Sequence, residues 1–246
     1  MNSLWLLSAL VIFAASFMQG AAGFAFALLA VPFLVWAGYP LAEASLLTAF
    51  NALLIVSLAT FRFRKVMDWK LLLPTIPLRL VTIALGICLL HWLNGLERGH
   101  IRQLLGGILL LVIVLQVFVR PKPRKQLATI WWWLAFGLAG LFMGMVGFGG
   151  PPSVLWVMAH DWPNQKSRAF LTGLYWTGLP IQIALLLLTF NQRLYSSLPL
   201  ALSFIPVAVL GVYLGLFWGD KLNKAHLRGA AYLLLSFAAL SSLIQP

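Results

Sequence analysis

Acidic residues are nearly missing from this chain: five Asp and Glu stand against seventeen Lys and Arg in 246 residues, and charged residues of both signs make up 9%. That is far below the roughly 25% of ordinary soluble domains. There is one cysteine, Cys88, inside an apolar run, which excludes a disulfide framework and a redox pair. The histidines His91, His100, His160 and His226 all fall at the ends of apolar runs. None has metal-ligand spacing, so no metal or other cofactor is expected. No nucleophile elbow, nucleotide-binding loop or paired catalytic carboxylates occur, so nothing points to an enzyme. No Lys or Arg precedes Arg62, so the basic start of a cleavable signal peptide is missing and residues 4–19 are expected to stay as structure.

What is present is apolar. Hydrophobic residues make up 62% and the mean hydropathy is +0.95, values that demand a polytopic membrane protein. The net charge of +12 sits in short loops between apolar runs, the pattern of a bilayer protein rather than of a nucleic-acid binder. Apolar segments run at about 4–37, 43–60, 71–92, 101–119, 130–159, 169–190, 198–218 and 228–244. The first and fifth exceed the roughly 20 residues that one crossing needs. Both carry glycine clusters near their middles. In the fifth, Gly144, Gly147, Gly149 and Gly150 precede Pro151-Pro152, which cannot continue as regular helix. The run is expected to break at membrane depth and restart with Pro151 or Pro152 in the first turn. Irregular backbone is tolerated there only when buried in protein or lining a cavity, and such broken helices cradle substrate in transporters. Close helix contact through small residues is the competing reading.

The two halves repeat. Met18-Gln19-Gly20-Ala-Ala-Gly23-Phe24 matches Phe142-Met143-Gly144-Met-Val-Gly147-Phe148 at an offset of 124, as Thr48 matches Thr172; Pro74 and Gly86 match Pro199 and Gly211 at 125. One transmembrane domain, 1–246, is therefore expected to hold two four-segment repeats, 1–120 and 128–246. If all eight segments crossed, the basic residues would divide nine against seven, with no bias. If segments 1 and 5 are re-entrant, loops 61–70, 120–128, 160–168 and 219–228 share one face and collect thirteen, against Arg98, Arg102 and Arg193 opposite. The positive-inside rule favours the second and makes that face cytoplasmic. Each repeat then crosses an odd number of times, and the two are inverted. The fold class is thus an all-α polytopic integral membrane protein, with segments 1 and 5 broken or re-entrant.

The glycine runs resemble those of the TauE/SafE, or sulfite exporter, family of membrane transporters. The resemblance rests on Gln19-Gly20-Ala-Ala-Gly23-Phe24 followed by Val31-Pro32, on Gly140-Leu-Phe-Met-Gly144-Met-Val-Gly147-Phe-Gly149-Gly150, and on Asp68-Trp69. It implies a small anionic substrate, chiefly sulfite, sulfonates and related organosulfur acids, moved outward across the inner membrane. A third glycine is expected after Gly149-Gly150, where this chain has Pro151. The resemblance and Gly106-Gly107 also fit a homodimer.

A restarted helix offers free N–H groups and the positive end of its dipole, a ready anion site. The candidate substrate-binding residues are Gly20, Gly23, Phe24, Gly144, Gly147, Phe148, Gly149 and Gly150. Arg79, the only basic residue well inside an apolar segment, adds a bidentate donor, unless it snorkels to the interface. Gln19, Thr48, Asn51, Thr172, Tyr175 and Gln182 supply hydrogen bonds, or simply join helices. Glu43 could relay a coupling proton, although an acid in a helix's first turn is ordinarily a dipole partner. Alternating access around paired breaks is the expected mechanism; a passive anion channel, or an embedded enzyme or assembly factor, are the alternatives. Single cysteines at Lys65 and Lys166, in a Cys88→Ala background, are expected to react with an impermeant maleimide from the same, cytoplasmic face. Labelling from opposite faces would restore the eight-crossing topology.

Overall fold

The computed structural model describes residues 3–22, 26–93, 98–118, 124, 127–219, 229, 233–240 and 242. It is helical throughout, and among the described residues no strand is formed. Segment 1 divides into α1 (Ser3–Ala22) and α2 (Phe26–Trp36); segment 2 is α3 (Leu41–Phe63). Segment 3 is α4 (Trp69–Leu72) and α5 (Thr75–Leu93), and segment 4 is α6 (Arg98–Phe118). Segment 5 divides into α7 (Thr129–Val146) and α8 (Gly150–Met158); segment 6 is α9 (Asn164–Phe190). Then come α10 (Gln192–Tyr195), α11 (Leu198–Ser203), α12 (Ile205–Gly219) and helical residues 233–240. Among the described residues five spans, counting α4 and α5 as one, are long and apolar enough to cross a membrane, and a sixth forms if the stretch from α10 to α12, bent by 48°, is one. By contrast α2 and α8, at 11 and 9 residues, are half-length.

Both broken segments fold back on themselves. The backbone N–H of Arg124, before α7, donates to the carbonyl of Ala159, just after α8, at 2.9 Å. Trp156 of α8 stacks edge-on against Phe136 of α7, ring centroids 5.0 Å apart. The α7–α8 hairpin therefore returns to the end of the bundle it left. In the first half, the Ser8 hydroxyl near the start of α1 hydrogen-bonds with the Tyr39 hydroxyl beyond α2 at 3.1 Å. The two hairpins open at opposite ends of α3. Its first turn holds Glu43, which accepts a hydrogen bond from Ser197 at 2.7 Å; its last holds Phe63, over which Arg168 lies at 5.8 Å. Asp68 and Lys166 pair at 3.6 Å, so loops 61–70 and 160–168 share one end, as re-entrant hairpins require. This half-exposed pair adds little stability and serves here as a marker of topology.

The stems of the hairpins are gripped crosswise. A Cβ on Gly20 of α1 would stand 2.5 Å from the Val212 carbonyl of α12, and one on Gly215 would overlap the carbonyl of Phe17. A Cβ on Gly144 of α7 would overlap the Ile83 carbonyl of α5, and one on Gly86 the carbonyl of Leu141. One turn away Gly211 faces Ser16, and Gly140 faces Thr82. Each interface is thus built from two small-xxx-small pairs, the device that brings membrane helices to backbone contact. These contacts correct one sequence match. Gly86 occupies the place of Gly215 rather than Gly211, because the chain between α9 and α12 is one helical turn longer than its counterpart before α5.

Trp92, Trp131, Trp133 and Trp218 line the surface, about half exposed or more, as interfacial anchors do. Trp132 and Trp162 are instead drawn into an aromatic cluster with Phe136, Trp156 and Phe170 that staples α8 to α7 and α9. Gly144→Ala is expected to destabilise the detergent-purified protein by about 1–3 kcal/mol, because α5 and α7 must separate. Gly137→Ala on the same helix, where nothing lies within 4 Å, should leave its thermal unfolding unchanged.

Candidate functional site

The break in segment 5 is a buried turn. α7 ends at Gly147, whose φ of 81° is a left-handed conformation open to glycine. Gly147, Phe148 and Gly149 are all buried, Phe148 at 2% exposure. A Cβ on Gly149 would overlap the carbonyl of Ala139, so the chain comes straight back along α7 before α8 begins. Pro151 and Pro152 stand in the first turn of α8, where proline fits the helix start. They remove two of its four free N–H groups. The donors left there are those of Gly149 and Gly150, and no side chain caps the turn.

Tyr175 of α9 faces this turn. Its hydroxyl lies 2.7 Å from where a Cβ on Gly150 would be and sits beside Ser153, whose own hydroxyl donates to the Gly150 carbonyl at 2.8 Å. Arg79 enters from α5 and is 2% exposed, so it does not snorkel. Its Nη1 donates to the carbonyl of Leu174 and reaches Thr177 Oγ1 at 3.5 Å; its Nη2 donates to Met143 Sδ at 3.2 Å. Among the described residues Arg79 has no ion-pair partner, and its buried Nε–H has no acceptor. Gly178 makes room for the guanidinium, since a Cβ there would overlap Nη2. Two links join Arg79 to the break. Met143 touches both Arg79 and the Gly149 position, and Tyr175 interacts with Arg79 while touching Gly150.

The other candidate residues divide. Gly20 and Gly144 lie in the helix contacts described above. Gln19 reaches across the first break, its Oε1 accepting from the Phe26 N–H at 3.2 Å. Gly23 and Phe24 lie outside the described residues. Thr48 is fully buried with no hydrogen-bond partner. Asn51 is fully buried too, its amide nitrogen donating to the carbonyls of Leu47 and Ala201 while its Oδ1 has no partner. Gln182 donates to the Met143 carbonyl at 2.8 Å. Thr172 is half-buried on α9. The structure thus gathers Arg79, Tyr175, Gly149 and Gly150 in one place, and adds Ser153, Met143 and Gly178, none of which the sequence reading singled out. Ser153 had one signal, its place directly after Pro151-Pro152. Two cavities, of about 360 and 280 Å³, flank His160 at the hairpin's open end, away from this centre.

The close fit of Gly178 around Arg79 has a measurable signature. Gly178→Ala alone is expected to lower the melting temperature of the detergent-purified protein, as overpacking does. Placed on Arg79→Ala it should cost little, so the two substitutions would be strongly non-additive. Additive effects would mean that the guanidinium lies elsewhere.

No curated protein and no solved structure matches the sequence. One family model does, sulfite exporter TauE/SafE, over residues 8–242. It covers both hairpins, Arg79 and nearly all of the chain, which therefore belongs to the TauE/SafE sulfite exporter family of membrane transporters.

Proposed function

We propose that the protein is a secondary transporter of a small oxoanion, either sulfite, a sulfonate or another organosulfur acid, bound at the break in segment 5. The observation that carries this reading is Arg79. A charged side chain at membrane depth costs roughly 2.5–3.5 kcal/mol even by the mildest scales. An unpaired buried donor adds about 1–3 kcal/mol. A carbonyl, a hydroxyl and a thioether are poor compensation for a full positive charge, and Nε–H has none. An anion between Arg79, the Tyr175 hydroxyl and the N–H groups of Gly149 and Gly150 offsets both costs. The positive end of α8 points at the same place. With Pro151 and Pro152 removing backbone donors, Arg79 and Tyr175 carry more of the recognition than glycine alone.

In this reading the halves 1–120 and 128–246 are inverted repeats, and the basic end holding Arg64, Lys65, Lys70, Lys166 and Arg168 faces the cytoplasm of an inner membrane. The buried centre supports alternating access over a standing pore. Rearrangement of the two hairpins against α3 and α9 exposes the anion to one side at a time. Export follows the family's name.

Thermal unfolding in detergent tests the reading, against sulfite, thiosulfate, taurine, sulfoacetate, sulfolactate and carboxylate analogues. A ligand of the native state must raise the melting temperature, by about 2.7 kcal/mol of stabilisation at a hundred times its Kd. One sulfur anion should do so saturably, and the shift should vanish in Arg79→Gln and shrink in Tyr175→Phe. A shift that survives Arg79→Gln would remove Arg79 from the site, and no shift from any anion would overturn the proposal.

A further inference from the structure

A helix break has two poles, and the anion reading uses only one. The other is the C-terminal end of α7, where the last carbonyls gather the negative end of the dipole. Facing it is Ser45 of α3, whose Oγ lies 2.6 Å from where a Cβ on Gly147 would be. Ser45 is fully buried and its hydroxyl has no hydrogen-bond partner. The same holds for Thr48, one turn along the same face. The usual fate of a hydroxyl on a membrane helix is to bond the carbonyl four residues back. Ser8, Ser57, Thr82 and Thr177 all do so here. Ser45 and Thr48 do not. Asn51 continues the row with another unpartnered acceptor, Oδ1.

We infer that Ser45 Oγ, Thr48 Oγ1 and the terminal carbonyls of α7 bind a sodium ion. Oxygen acceptors at the negative end of a half-helix are the donor set that broken-helix transporters present to a monovalent cation. A divalent ion is disfavoured because it calls for carboxylates, and among the described residues none joins these groups. Glu43, two residues before Ser45, is engaged by Ser197. That leaves no acidic side chain to take a proton at this place, so a sodium ion replaces the coupling proton. The opposite half lacks the arrangement, since Ala169 stands at the offset of 124 from Ser45. The ion and the anion would sit on the two ends of one turn, Gly147 to Gly149, so each would favour the turn geometry that the other needs.

The experiment is thermal unfolding of the full chain in detergent, in sodium, potassium or choline chloride at equal ionic strength and without other anions. Sodium should raise the melting temperature saturably over choline by about 5 °C, the scale set by ligand linkage for a chain of this size. Ser45→Ala and Thr48→Val should melt as the parent does in choline and lose at least tenfold in apparent sodium affinity. Arg79→Gln should keep the sodium response, which separates this site from the anion reading. Equal melting of the parent in sodium and choline would overturn the inference, even if neither variant folds. So would a full sodium shift retained in both variants.

Discussion

No backbone polar group can be left facing lipid, and two apolar segments of this chain are divided, between α1 and α2 and between α7 and α8. Everything else is arranged around hiding these breaks. Each break must be enclosed by protein on all sides, so each hairpin needs neighbours at backbone distance. That is why α1 meets α12, and α7 meets α5, through glycine and hydroxyl residues rather than through large side chains. In lipid no hydrophobic effect drives helices together, so the closeness of these contacts supplies the attraction. The same requirement explains Gln19, which satisfies the Phe26 N–H, and Gln182, which satisfies the Met143 carbonyl.

Much of this was legible in the order of residues. Runs too long to cross once, interrupted by glycine and proline, announced the two breaks, and charge counting announced that the chain turns back at them. Arg79 stood out because it is the one cation deep in an apolar run. Harder to read was which glycines serve contact and which serve the turn. Gly20 and Gly144 look alike in the sequence to Gly147 and Gly149, but a missing Cβ is informative only when one knows what would meet it. The place of Gly86 was shifted for a related reason, since a one-turn insertion preserves the small-xxx-small period and so hides the change in register. Ser45 and Gly178 could not be found by pattern, and Ser153 only by its place after Pro151-Pro152. A serine in an apolar helix ordinarily bonds its own backbone, and only three-dimensional proximity distinguishes one that does not.

The glycine contacts of the two hairpins are alike, and the polar residues around them are not. The contacts of Gly20 with α12 and of Gly144 with α5 correspond almost atom for atom. Yet no second arginine mirrors Arg79, since Ala208 stands at its place in the register that sets Gly86 against Gly215, and Tyr175 faces the second break from the position that Asn51 holds on α3. Both hairpins are gripped through small residues because close helix contact needs them, whereas the polar residues around them are under no such constraint.

The crosswise grip has a consequence for how the chain is made. α1 is synthesised first, but its partner α12 begins at Ile205, some 180 residues later. At roughly 5–20 residues per second, the bare glycine face of α1 waits about ten to forty seconds in the bilayer for its mate. Its hairpin therefore cannot reach final form during early insertion. A nascent chain halted before α12 would present an unpaired stem to the quality-control proteases of the membrane, making α12 the licence for α1.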